Sequence, residues 1–306
     1  MERDSIHAKT RAVLDAAAAR LGVPVHDARL LRLHGNASYV LSSAGLVIRI
    51  ATNPQVLGPV TASIAVTRWL ADRGFPCTVP ADIDDQPFVI SGYVVSAWQY
   101  VPTADAPAPT SAEMGKILRE LHSQDDPPYP LPSLGDPFAS VTYEISHAPD
   151  VISPASLSWL QERITFLSRR WSALDFPQPA GLIHGDAHIG NLMRAASGQA
   201  VLGDWDHVAT GPREWDLAQI HYMERRFGRA GENGVDAFAA AYGWDVRTWP
   251  GLDTVIAVRE IWSLRPYIRT ARDRPSYSRQ LAYRLQTLQS GDTQARWDLA
   301  QPSGRR

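Results

Sequence analysis

The chain changes character at residues 102–110, PTADAPAPT, where three prolines and little side-chain bulk leave nothing to continue a helix or a paired strand. Before it, short apolar runs read as strands at 28–33 (ARLLRL), 38–43 (SYVLSS), 45–51 (GLVIRIA), 87–90 (PFVI) and 93–101 (YVVSAWQYV). Turn residues at His34-Gly35-Asn36 and Ser43-Ala44-Gly45 make the first three an antiparallel meander. Two helical patterns accompany them: 8–21, with Val13, Leu14, Ala17 and Leu21 on one face, and 57–73, stopped by Gly74 and Pro76. After the break the spacing is helical, at 111–123, 154–172, 214–228, 233–242, 251–271 and 277–290. In the first of these Met114, Ile117, Leu118 and Leu121 share a face, and Ser111 is placed to cap. Residues 125–137 carry five prolines and read as an irregular loop. The expectation is an α+β chain of two lobes, a small β-rich one over residues 1–101 and a larger, mostly helical one over 102–306.

Charge excludes some functions. Thirty Lys+Arg against 32 Asp+Glu give a formal charge of -2, so no general affinity for nucleic acid or an anionic membrane is expected. One cysteine, Cys77, allows neither an internal disulfide nor a cysteine-rich zinc site, and reads as a small buried hydrophobe. The N-terminal segment MERDSIHAKT has no signal-peptide apolar core, and no later run reaches membrane-spanning length, so a cytoplasmic protein is expected. Lysine occurs only at Lys9 and Lys116; arginine carries the rest of the basic charge.

Chemistry concentrates in one region. LIHGDAHIGNLM at 182–193 is a polar, glycine-containing loop between apolar ends, and VLGDWDHV at 201–208 repeats the scheme. A hairpin through Ala196-Ser197-Gly198-Gln199 would bring Asp186, Asn191 and Asp204 to one cleft. Two carboxylates and a carboxamide are hard oxygen ligands suited to Mg²⁺, and a carboxylate left free of metal can take a proton from a hydroxyl. Phosphoryl transfer uses this equipment.

The region resembles the aminoglycoside phosphotransferase family of small-molecule kinases, which has a protein-kinase-like fold. Its H-G-D-x-H-x-x-N loop is matched by His184, Gly185, Asp186, His188 and Asn191. Its I-D-F-D strand end is matched by Gly203-Asp204-Trp205-Asp206, and its G-P-x-x-x-D-L-A stretch by Gly211, Pro212, Asp216, Leu217 and Ala218. The helix ending Leu121-His122 is similar to the family's L-x-x-L-H helix. The resemblance implies ATP and Mg²⁺ as cofactors, Asp186 as base or orienting residue for the attacking hydroxyl, and Asn191 and Asp204 as metal ligands. It makes Asp216 structural, holding the loop, and Trp205 a packing residue. His184, His188 and Asp206 stand as supporting residues, while His207 is given no role.

The nucleotide lobe departs from the pattern. HGNASYVL at 34–41 is similar to the family's phosphate loop, with Gly35, Asn36 and Ser38 as its polar members. No lysine lies in a strand of that lobe, so Arg49 stands at the position of the phosphate-contacting lysine. The 57–73 helix has no glutamate to pair with it, and Ser63 stands where one would be expected. Arg49 either holds the phosphates with a different partner or marks impaired nucleotide binding. Gln99, Tyr100 and Val101 fall where a hinge would meet adenine, and could equally pack.

The expected substrate is a small molecule with a hydroxyl: an aminoglycoside-like antibiotic, a sugar or an amino alcohol. A polycation would favour acids such as Glu224, Glu232, Asp236, Asp245 and Glu260, yet from Gly251 onward ten arginines face five acids, which fits an anionic or neutral substrate at least as well. Two other readings stay open. One is a metal-dependent phosphoesterase using His184, Asp186, His188, Asp204 and His207; the other is a binding protein on a catalytically impaired kinase fold.

Overall fold

The computed structural model describes residues 2–33, 36–51, 56–103, 107–231 and 233–298. The first elements are α1 (Glu2–Leu21), β1 (Arg29–Leu33), β2 (Asn36–Leu41), β3 (Leu46–Ala51), α2 (Leu57–Ala71), β4 (Phe88–Ile90) and β5 (Tyr93–Gln99). Then come α3 (Ser111–His122), α4 (Ala139–His147), α5 (Pro154–Ser172), β6 (Gly181–Ile183), β7 (Leu192–Arg194), β8 (Ala200–Leu202) and β9 (Ala209–Gly211). The chain closes with α6 (Glu214–Phe227), α7 (Gly234–Tyr242), α8 (Leu252–Trp262), α9 (Arg265–Thr270) and α10 (Pro275–Gln289). Two compact units result, and neither is continuous in sequence: one takes Met1–Pro109, Pro127–Pro132 and Gly190–Val208, the other Thr110–Asp126, Ser133–Ile189 and Ala209–Arg306. Among the described residues no helix is long and apolar enough to cross a membrane.

The first unit is built on a five-stranded antiparallel sheet in the order β1-β2-β3-β5-β4. Alternation along β3 sends Ile48 and Ile50, both fully buried, into a core with Val13, Leu14 and Ala17 of α1 and with Tyr39, Leu41, Val95 and Ala97. Arg49 therefore projects from the other face. It stands in a cross-strand row with Arg32, Ser38 and Ser96, which pair in register across β1, β2, β3 and β5. The β7–β8 hairpin belongs to this unit and is tied to the chain after α2, where Thr78 N donates to Leu202 O (2.9 Å) and Leu202 N to Pro76 O (2.8 Å). Cys77 sits beside these bonds, and burial pushes its thiol up to about 12, so it is inert as a nucleophile.

The second unit is mostly helical, around the short β6–β9 ladder. Its α3 starts at a capping box in which Thr110, not Ser111, is the cap: Thr110 Oγ1 accepts from Glu113 N, and the Glu113 carboxylate accepts from Thr110 N. Ser111 Oγ instead donates to Ala230 O at 2.7 Å. The single helix expected over 251–271 is two, because Pro266 has no amide proton to continue α8 but fits the first turn of α9. Helix α4 and strand β9 were not legible in the sequence: ASVTYEISH mixes β-branched and small residues, and β9 has three residues.

Helices α3 and α7 approach closely at Gly115, where a Cβ would stand 2.5 Å from the Phe238 carbonyl oxygen and 3.1 Å from the Ala241 Cβ. Alanine at a helical glycine normally gains about 1 kcal/mol. Here the obstacle is backbone, so Gly115→Ala should instead lose about 1–3 kcal/mol to overpacking. Denaturant unfolding checks this; an unchanged or higher midpoint would show that the two helices separate at no cost.

Candidate active site

In the second unit, the loop after β6 is set by one carboxylate. Asp216, on the first turn of α6 and fully buried, accepts from the amides of His184 (2.7 Å) and Gly185 (2.9 Å). Its Oδ2 also lies 3.3 Å from His122 Nε2, whose Nδ1 is 2.9 Å from the Tyr242 hydroxyl. Burial alone would raise the Asp216 pKa, but His122 outweighs it, with help from His184 and Arg259, and the net direction is down. Just past the second of these donors the chain turns at Gly185, whose φ of +86° is a left-handed conformation that a side chain would strain. Its carbonyl oxygen accepts from Trp215 Nε1 at 2.8 Å, and His184 Nδ1 accepts from the Asp186 amide at 3.3 Å. The imidazole is fully buried and braces the turn.

Asp186 follows, and its orientation is set from α6: Gln219 Nε2 donates to Oδ1 at 2.7 Å, and Arg259 Nη1 donates to the Gln219 carbonyl. Arg259 is buried, lies 4.0 Å over the Trp215 ring, and donates from Nε to Trp215 O at 2.9 Å. Burial pushes its guanidinium down to about 10 against the opposing fields of Asp216 and Asp186. His188 Nε2 stands 3.9 Å from Asp186 Oδ2.

In the first unit, Asn191 and Asp204 flank the β7–β8 hairpin, and Gly203 N donates to Asn191 O at 2.9 Å. Asp204 has φ +62°, a left-handed backbone costing an ordinary residue about 1–2 kcal/mol. Both its oxygens meet arginine: Oδ1 takes Arg49 Nη2 at 3.2 Å and Oδ2 takes Arg32 Nη1 at 3.0 Å. Asp206 Oδ2 accepts from Arg49 Nη2 (2.7 Å) and Asn36 Nδ2 (2.9 Å). Arg49 thus has two carboxylate partners outside α2, where Ser63 is buried with no hydrogen-bond partner for its hydroxyl among the described residues. Burial pulls the Arg49 pKa down, Asp206 and Asp204 push it up, and the net direction is up. Trp205 is fully buried, donates to Leu202 O at 3.1 Å and packs edge-on to Phe75. Of the residues expected at a hinge, Gln99 N donates to Val79 O and Tyr100 N to Gly45 O, both at 2.8 Å.

Of the residues singled out from sequence, Asn36, Ser38, Arg49, Asn191, Asp204 and Asp206 thus belong to one unit, and His184, Asp186, His188 and Asp216 to the other. Gly35 and Glu232 lie outside the described residues. Asn191 and Asp204 present oxygen donors that fit a hard divalent cation. Among the described residues no group of three or more His, Cys, Asp or Glu side chains is gathered to hold a metal. Of the acids available to a polycation, Asp236 and Asp245 pair with Arg247, Glu260 with Arg226 and Glu224 with Arg296. Sequence reasoning missed Arg32, Gln219 and Arg259. Gln219 had a signal, standing three residues after Asp216 and so on the same helical face.

Asp216→Asn would replace one of the two accepting oxygens with an NH2 group and set donor against backbone donor in a dry site. A stability loss of about 3 kcal/mol is expected, of the size seen when a buried charge network loses a partner. Because the folded-state pKa is depressed, the native contribution is full above the unfolded value and is lost as pH falls through the folded one, so the variant should also lose part of the acid-side slope of stability. Urea midpoints across the acid range test both, and a variant as stable as the native protein would deny Asp216 its bracing role.

No curated protein matches the chain in sequence. Solved structures do match in fold: the choline kinase LicA from Streptococcus pneumoniae has a TM-score of 0.66 at 15% identity, covering 92% of this chain and 98% of its own. The amicoumacin kinase hAmiN, in complex with AMP-PNP and Ca²⁺, gives 0.65 at 15%, covering 96% and 98%. An aminoglycoside phosphotransferase from Streptomyces rimosus gives 0.59 at 15%, covering 83% and 98%. These likenesses establish a two-lobed, protein-kinase-like fold. In sequence, the model of the phosphotransferase enzyme family matches residues 28–255 of the 306. The chain therefore belongs to the phosphotransferase enzyme family.

Proposed function

We propose that the protein transfers the terminal phosphoryl group of ATP, with Mg²⁺, to a hydroxyl of a small molecule. The observation that carries this reading is the Asp186 carboxylate, aimed through Gln219 and Arg259 from a loop pinned by Asp216 and Trp215. Asp186 orients the acceptor hydroxyl and takes its proton as the oxygen attacks phosphorus and ADP departs. A base held this rigidly meets the positional demand of such a step. Asn191 and Asp204 would hold the Mg²⁺, which when bound neutralises charge on the phosphate oxygens. Arg49 and Arg32 now occupy both Asp204 oxygens, and a triphosphate would draw these guanidinium groups to itself and release the carboxylate. Asn36 and Ser38 border the same face of the sheet. The Val101 amide makes no backbone hydrogen bond among the described residues and is the hinge donor left for a purine.

Incubation with ATP, Mg²⁺ and a panel of hydroxylated metabolites should yield one product heavier by one phosphoryl group, and Asp186→Ala should lower its rate by about 10²–10⁴-fold. Ligand binding with no transfer to any acceptor would instead support the impaired binding protein.

Arg49→Ala should weaken ATP binding by about 10–150-fold, the worth of a charge-assisted hydrogen bond. Calorimetry on the folded variant checks this, and unchanged affinity and turnover would remove Arg49 from the site.

A further inference from the structure

Close to Asp186, in the same unit, one cation is left without an acid. Arg265 opens α9, stacks 3.3 Å above the Trp262 ring, and donates from Nε to Trp262 O (3.0 Å) and from Nη1 to Ser140 Oγ (3.2 Å). Both of those acceptors are neutral. The neighbouring arginines have other partners: Arg259 serves Gln219 and Trp215, and Arg269 takes Glu144, with Nη2 2.5 Å from Oε1. Arg265 forms no ion pair with a carboxylate among the described residues.

A guanidinium has five N–H groups. With Nε and one Nη1 proton engaged, the end of the fork, one N–H from Nη1 and two from Nη2, remains, and two parallel N–H bonds are what a carboxylate accepts. We propose that this fork binds a carboxylate on the phosphoryl acceptor, so that the substrate is a hydroxy acid whose hydroxyl lies at Asp186 while its anionic end is held by Arg265. This rests on the kinase reading above and narrows it.

Two further observations agree. Burial, with Arg269 adding repulsion, pushes the Arg265 pKa down to about 9 against the fields of Asp186 and Glu144, so a carboxylate ligand would relieve an uncompensated charge. The described acids named above as suited to a cationic substrate, Glu224, Asp236, Asp245 and Glu260, are already paired with arginines. A polycation brought to Arg265 would meet like charge.

The test uses matched sets of one hydroxyl compound as its carboxylic acid, its primary amide and its amine, with ATP and Mg²⁺, read by product mass and by kcat and KM. The acid should be preferred over the amide by about 10–150-fold in kcat/KM. Arg265→Gln should raise KM for the acid more than it lowers kcat and bring the acid-to-amide ratio near one, while Arg265→Lys should keep part of the preference. Melting curves report whether each variant folds; if Arg265→Gln does not, the ratio measured with the native protein still decides. The proposal is overturned if amides or amines are preferred, if no hydroxy acid is phosphorylated while other acceptors are, or if the folded Gln variant keeps the native ratio. If no acceptor of any class gives transfer that depends on Asp186, the kinase reading itself falls, and this proposal with it.

Discussion

A carboxylate out of contact with water is costly, by several kcal/mol even after relaxation, unless donors surround it. Asp216 meets that demand with two consecutive peptide N–H groups and an imidazole, and the helical unit is arranged around this exchange. The two peptides fix the path from His184 to Gly185, which decides where the Asp186 side chain starts. The same short helix supplies Trp215 to the Gly185 carbonyl and Gln219 to the Asp186 carboxylate. Through His122 and Tyr242 the buried charge also reaches α3 and α7, whose close packing is permitted by the missing side chain at Gly115. Loop geometry, helix packing and charge compensation are therefore one network rather than three.

The sheet unit solves a different problem. Lysine is a single flexible point of charge; arginine is a broad fork that can serve two carboxylates together. Arg49 joins Asp204 and Asp206 through one nitrogen, Nη2, while Asn36 completes the shell of Asp206 and Arg32 that of Asp204. The carboxylate that balances the strand cation thus comes from the 204–206 turn rather than from α2. The left-handed backbone at Asp204 is the strained element here, and it is held where both of its carboxylate oxygens are engaged.

Much of this could be read from sequence because its causes are local. Alternation placed Ile48 and Ile50 inward and Arg49 outward, and Gly198 with its neighbours foretold the β7–β8 hairpin. Pro266 also carried a local signal, but the apolar pattern continued across it and hid the break between α8 and α9. The partners of the candidate site were harder. Arg259 contacts Gln219 forty positions upstream, and Arg32 meets Asp204 across 172 positions, separations that no periodicity or cap registers. One chain carries many arginines, and only the fold distinguishes those that neutralise neighbouring acids from those left without a counter-charge.

Because residues 190–208 fold with the first unit while 110–126 and 133–189 fold with the second, neither unit can be completed from a continuous stretch of chain. During synthesis the five-stranded sheet is complete by Gln99, but its unit would wait for the β7–β8 hairpin until about two thirds of the polypeptide had been made. Maturation one unit at a time from the N-terminus is thereby disfavoured, and early intermediates hold the 76–78 segment without the hairpin that pairs with it.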